Sequence, residues 1–170
     1  QNPQDAYVLQ DVKGEVTFKD FSFAYPHEDK LSLDDINLDI KAGEKIGIVG
    51  KIGCGKSTIM NILLRLYNVK EGTVFIDGHD VMTCDIDSVR NAIAYVPQDN
   101  FLFSDTITHN ISFSDINMDD LLVHEAAKFA DVDDDIQNFE DKYETVSGER
   151  GVTLSGGQKQ RISIARAFAK

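Results

Sequence analysis

Lys45-Ile46-Gly47-Ile48-Val49-Gly50-Lys51-Ile52-Gly53-Cys54-Gly55-Lys56-Ser57-Thr58 is the stretch on which the fold turns. Lys45 to Val49 is a short apolar run without alternation, the pattern of a strand covered on both faces. Gly50 to Ser57 matches G-x-x-x-x-G-K-[ST]. From Lys56 to Tyr67, Ile59, Ile62, Leu63 and Leu66 recur at helical spacing and predict an amphipathic helix. A buried strand, a glycine-rich turn and a helix, in that order, build a phosphate cradle. Glycines let the backbone curl until successive N–H groups point at one anion, and the positive end of the helix dipole adds to the field. Lys56 is placed to reach β- and γ-phosphates, and the Ser57 hydroxyl to ligate Mg²⁺. Gly50, Lys51, Gly53, Cys54, Gly55, Lys56 and Ser57, with the adjoining Thr58, are the candidate nucleotide ligands. Cys54, inside the loop, reads either as a small residue that fills space or as a thiol whose alkylation would block ATP binding.

Outward from this stretch, Val16, Phe18, Phe21, Phe23 and Tyr25 alternate, with a slip at Lys19-Asp20 that reads as a bulge. Ile36, Leu38 and Ile40 alternate cleanly, and Val74 and Ile76 precede a turn at Asp77-Gly78. These segments predict an antiparallel β layer. Ile93 to Val96 reads as a second buried strand, ended by Pro97. Residues 104–146 change character: Asp119 to Ala130 predicts a helix with Leu122, Ala126 and Phe129 on one side, and Gln158 to Ala169 predicts another. The clustered Asp131, Asp133, Asp134 and Asp135 read as a solvated surface.

Bulk properties exclude several classes. The 170 residues suit one domain with an inserted subdomain, and 42% hydrophobic content rules against disorder. A net charge of -12 repels phosphate backbones, so no nucleic-acid partner is expected. No apolar run approaches the roughly 20 residues of a membrane span, and the start, Gln1 to Asp5, is unlike a signal peptide. The two cysteines, Cys54 and Cys84, fit neither a disulfide framework nor a metal site and suggest a reducing compartment.

A second motif narrows the reading. Leu154-Ser155-Gly156-Gly157-Gln158 combines a capping box, Ser155 with Gln158 three residues on, with two glycines that leave N–H groups open to an anion. It resembles the signature of ATP-binding cassettes. With Gly50 to Ser57 upstream in the expected order, the chain is similar to the ABC ATPase family over nearly its whole length, and most similar to exporter half-transporters of the bacterial multidrug or lipid type. The resemblance implies an α/β fold: a P-loop NTPase core with an antiparallel β subdomain and an inserted α-helical subdomain. It divides the chain into a linker from an upstream membrane domain (1–13), the nucleotide-binding core (14–103), the helical subdomain ending in the signature (104–157) and the signature helix (158–170).

The resemblance also implies a division of labour between two chains. Lys56 and Ser57 bind Mg-ATP in one copy, and Ser155, Gly156, Gly157 and Gln158 close on that nucleotide from the other. Tyr25 stands where the family stacks an aromatic on adenine. Gln98, after Tyr95-Val96-Pro97, matches the glutamine that touches Mg²⁺ or the attacking water, so the catalytic set in this chain is Lys56 and Gln98, and the metal set Ser57 and Gln98. Ser147-Gly148-Glu149-Arg150-Gly151 is similar to the segment that contacts coupling helices in exporter-type cassettes, and Phe101-Leu102-Phe103 and Asn110-Ile111 look exporter-like; the resemblance implies a place at the cytoplasmic face of a membrane. The family continues with a strand ending in an Mg-binding aspartate, a catalytic glutamate and a histidine, all absent up to Lys170. His27, His79, His109 and His124 precede the signature and read as surface residues. The natural protein is therefore expected to extend further, with this C-terminal part of the core missing here. The 170 residues alone are expected to hydrolyse ATP negligibly. Two rival readings are a soluble ABC-type ATPase of DNA repair or translation, and a degenerate, non-catalytic nucleotide-binding module.

Overall fold

A computed structural model describes residues 3, 5–115, 117–148 and 152–170. It divides into two compact units, residues 1–93 and 94–170.

The first unit is built on a four-stranded antiparallel sheet. Strands β1 (Val16–Phe23), β2 (Leu33–Ile40), β3 (Val74–Ile76) and β4 (His79–Asp80) lie in the order β2-β1-β3-β4. The slip at Lys19-Asp20 is a bulge: the pairing runs from Phe18↔Leu38 to Phe21↔Ile36, and Asp20 takes φ 43°. Asn37 Oδ1 accepts the Asp20 N–H at 2.9 Å, so the bulge leaves that donor satisfied. Asp77 and Gly78, at φ 48° and 77°, make the two-residue hairpin turn between β3 and β4. Alternation then puts Phe18, Phe21, Val74 and Ile76 into a core with Ile62, Val81 and Val89.

Helix α1 (Lys56–Leu63) stops short of the expected Tyr67, and Leu66 is exposed while Ile62 and Leu63 are buried. Arg65, at φ 51°, breaks the helical path just beyond it. Its buried guanidinium donates to the carbonyls of Val81 (2.6 Å) and Cys84 (3.0 Å), tying the end of α1 to the turn before α2 (Ile86–Asn91). Residues 5–13 run against the rest of this unit. Tyr7 exchanges backbone hydrogen bonds with Thr83 and Asp85, its ring stacks on His79 at 4.0 Å, and Leu9 is buried.

The two buried strands expected around the cradle are not formed. Lys45 to Val49 and Ile93 to Val96 carry no ladder, and Ile46, Ile48 and Val49 are exposed, Val49 at 97%. A strand covered on both faces needs neighbours on both edges, and no described strand of the first unit pairs with Lys45 to Val49.

The second unit is helical: α3 (Ile107–Ile111), α4 (Asp120–Phe129), α5 (Asp133–Gln137), a 3-10 turn (Lys142–Glu144) and α6 (Gly156–Phe168). Asp119, Thr106 and Ser155 cap α4, α3 and α6 through side-chain oxygens. The buried face of α4 is Val123, Ala126 and Ala127, one position away from the expected Leu122 and Phe129, which are exposed. Large side chains at both edges of that stripe drew the reading off. Phe129 instead stacks on Phe168 of α6 at 4.1 Å, a surface pair. The acidic cluster is partly structural: Asp133 accepts from the Tyr143 hydroxyl, and Asp135 pairs with Arg161 of α6.

Candidate functional site

In the first unit, the Gly50 to Ser57 loop curls as its glycines allow. Gly53 and Gly55 sit at φ 80° and 92°, in the left-handed region. Gly55 is also the N-cap of α1, and a Cβ on it would lie 2.6 Å from the Ser32 carbonyl and 2.8 Å from Leu33 Cδ2. The loop is thus docked against the start of β2 at a point where only glycine fits. Gly50 is tight for another reason: a Cβ there would meet Cys54 Sγ at 2.5 Å. Lys56 folds back over the loop, its ammonium donating to the carbonyls of Gly50 (2.8 Å) and Lys51 (2.9 Å) and lying 3.7 Å from Cys54 Sγ. The cation is therefore held at the mouth of the loop. Lys56, Ser57 and Thr58 are the first three residues of α1, whose N–H groups have no acceptor within the helix.

A pocket of about 230 Å³ opens on this loop, lined by Tyr25, Ser32, Gly53, Gly55, Lys56, Ser57 and Thr58. Tyr25 is brought to it by β1 and braced there. Its ring packs edge-on to Phe23 (5.1 Å) and Tyr67 (5.2 Å), and its hydroxyl shares a 2.8 Å hydrogen bond with Thr58 Oγ1. Sequence reasoning did not find Ser32 or Tyr67, since neither falls in a motif and only the folded sheet brings them to the loop.

In the second unit, Ser155 Oγ accepts the Gln158 N–H at 3.2 Å, while Gln158 Oε1 accepts the Ser155 N–H at 3.0 Å. This reciprocal cap leaves the amides of Gly156 and Gly157 pointing out of the first turn, on exposed residues. The expected helix start at Gln158 moves to Gly156 for the same reason: the cap belongs to Ser155. Gln98 is exposed in this unit, and its carbonyl accepts from Asn100 Nδ2 at 3.5 Å. Of the Ser147–Gly151 segment, Glu149, Arg150 and Gly151 lie outside the described residues.

Residues 33–170 match the family described as ABC transporter. The chain belongs to that family. Its fold is the mixed α/β fold of the ABC ATPases: it superposes on the structure of a bacterial Atm1-family ABC exporter with ATP bound at a TM-score of 0.92, with 39% identity over 99% of this chain. The chain is 47% identical over 98% of its length to the mitochondrial iron-sulfur clusters transporter atm1 of Aspergillus fumigatus. It is 41% identical over 95% of its length to the ATP-dependent lipid A-core flippase of Yersinia pestis. It spans 23% and 28% of those two relatives and 30% of the solved exporter. A transporter, a flippase and an exporter by name, these proteins give no support to a soluble ATPase of DNA repair or translation or to a degenerate module.

Proposed function

We propose that this ABC-family chain is the ATP-binding motor part of a membrane exporter. The observation that carries the reading is the Gly50 to Ser57 loop, with Lys56 held across its mouth and the first amides of α1 behind it. The bare amides bind and orient a phosphate, and the Lys56 ammonium offsets the charge that develops when water attacks the γ-phosphate in line. Tyr25 offers a braced ring face to adenine. Mg²⁺ fits this arrangement, because it binds through one or two protein groups plus phosphate oxygens; Ser57 would hold it with Gln98, and it would neutralise phosphate charge. The place of Gln98 in this set rests on its register in the sequence.

Ser155 and the amides of Gly156 and Gly157, with Gln158 holding their cap, close on the nucleotide of a second, head-to-tail nucleotide-binding domain. The membrane-facing side is proposed to be the second unit's cavity of about 510 Å³, lined by Asn100, Phe101, Ser104, Gly148 and Leu154 among others. Exposed Phe101, Phe103 and Phe113 beside one another supply an apolar surface for a transmembrane domain of the same transporter. No described helix is long and apolar enough to cross a membrane; the place at the cytoplasmic face is proposed from the likeness to ABC exporters. Titration calorimetry of Mg-ATP tests the reading: the chain should take up nucleotide in a magnesium-dependent way, and Lys56→Ala should weaken it at least about tenfold, the loss of one charge-assisted contact. Equal affinity in the two proteins would remove the loop from the site.

A further inference from the structure

One buried polar cluster of the second unit is used by none of the roles above. Asn110, on α3, is fully buried. Its amide nitrogen donates to the carbonyls of Phe103 (3.1 Å), Asp105 (3.3 Å) and Thr106 (3.0 Å) and to Ser147 Oγ (3.1 Å). Its Oδ1 accepts the Phe103 N–H at 2.9 Å. From α6, Arg166 completes the cluster: Nε donates to the Asn110 carbonyl (2.7 Å), Nη2 to Asn110 Oδ1 (2.9 Å) and Nη1 to the Phe101 carbonyl (3.2 Å). Its guanidinium also lies over the rings of Phe103 (5.5 Å) and Phe113 (5.7 Å).

The backbone groups served here belong to a segment that forms no helix or strand. Residues 101–104 have no ladder; Asn110 serves both the N–H and the carbonyl of Phe103, and Arg166 serves the carbonyl of Phe101. That segment follows Gln98 directly. The same cluster reaches Ser147, whose Oγ also lies 3.3 Å from the carbonyls of Phe103 and Asp105. Gly148 then packs so close to Ser104 that a Cβ would fall 2.6 Å from its Oγ, at φ +100°. A guanidinium fork and a carboxamide are suited to this, because planar donors in fixed directions specify one geometry.

We propose that Asn110 and Arg166 are positioning residues that lock the segment after Gln98, the turn at Ser147-Gly148 and the signature helix α6 into one body. On this reading a displacement at the exposed Phe101–Phe103 surface is carried to Ser155–Gly157 without slack, since a fully satisfied buried network has few alternative arrangements. Neither residue touches nucleotide. The inference rests on the proposed function, which assigns Gln98 and Ser155–Gly157 their roles.

The test uses the full-length protein, purified in detergent and reconstituted, with Arg166→Lys, Asn110→Ala and the double variant. Lysine keeps the charge but loses the fork. Expected are a Mg-ATP KM within about twofold of the parent and a kcat at least tenfold lower for each single variant. The double variant should be no worse than the poorer single one, because both remove one network. Hydrogen exchange should speed up at the amides of Phe103 and Ser147 and not within α4. An Arg166→Lys protein with parental kcat, or losses that multiply in the double variant, overturns the inference. So does a KM that rises in step with the fall in kcat, or a variant that unfolds with loss of exchange protection throughout α4, since either marks a merely structural role. A parent that binds no Mg-ATP sinks the functional reading itself, a distinct outcome.

Discussion

Substituting Gly55 by alanine should harm the phosphate loop far more than the same change at Gly53, although both glycines lie in the left-handed region at φ +92° and +80°. An L-residue held there costs about 1–2 kcal/mol at either position. At Gly53 nothing lies within 4 Å of the new Cβ, so that is the whole cost. At Gly55 the Cβ meets the Ser32 carbonyl at 2.6 Å and Leu33 Cδ2 at 2.8 Å. The carbonyl cannot easily retreat, because the Ser32 N–H donates to the Phe23 carbonyl at 2.8 Å and Leu33 begins β2 as part of the core. Overpacking of this kind adds about 1–3 kcal/mol, giving a total near 2–5 kcal/mol. Some of it is relieved by pushing the loop off β2, which displaces the N-terminus of α1 and lowers ATP affinity as well as stability. Urea unfolding gives the stability difference, and Mg-ATP titration gives the binding loss. Equal destabilisation of the Gly53→Ala and Gly55→Ala proteins, or a Gly55→Ala protein of parental affinity, would refute the docking of the loop on Ser32.

Three further outcomes follow from the structure. Tyr143→Phe removes the hydroxyl that, more than any other group, holds the Asp133 carboxyl below its usual range, and should cost about 1.5–3 kcal/mol at neutral pH. A lowered folded pKa stabilises above the unfolded value, so the cost should fade as pH falls below about 4 and be checked by urea titrations across that range. N-ethylmaleimide should label one thiol of the native chain, exposed Cys54, and abolish Mg-ATP uptake, while buried Cys84 reacts only in denaturant; mass spectrometry with calorimetry reads both, and undiminished ATP uptake after full labelling would separate Cys54 from the site. Asp135→Asn breaks the half-exposed pair with Arg161 and should lose no more than about 1 kcal/mol, less at high salt; a larger, salt-independent loss in urea titrations would mean that the pair is a structural anchor.

The antiparallel layer was legible because its signals are local: alternation in Val16–Phe23, the slip at Asp20 and the turn at Asp77-Gly78 each depend on a few neighbouring residues. The helix caps at Asp119 and Ser155 are of the same kind. Lys45 to Val49 was read as a covered strand because apolar residues announce that a surface is to be buried without saying what buries it, and here Val49 stands 97% exposed. The face of α4 was misjudged by one position because Leu122 and Phe129 are larger than Ala127, and size outweighed phase. The most connected polar group in the second unit, Asn110, left no trace in the reading beyond a family likeness at Asn110-Ile111. Of the six partner atoms of its side chain four are backbone atoms, and backbone atoms have no letter in a sequence.

The two anion-facing helix ends are built to different strengths, and the difference sets an order of events. At α1 the amides are joined by a formal cation, since Lys56 sits on the loop with no carboxylate within ion-pair distance among the described residues. At α6, Arg161 is paired with Asp135, Lys159 stands exposed in the first turn, and Ser155 and two glycine amides face outward. Hydrogen bonds from either end to an ionised phosphate are charge-assisted, about 1.5–3 kcal/mol each, but only at α1 does an ammonium lie across the loop that makes them. On a chain of net charge -12, ATP in solution meets repulsion except within a few ångströms of such a cation. Under the proposed function, the α6 end therefore gains less from a free nucleotide than the α1 end does, so that loading of the Gly50–Ser57 loop comes first and engagement by Ser155–Gly157 of a second copy follows it.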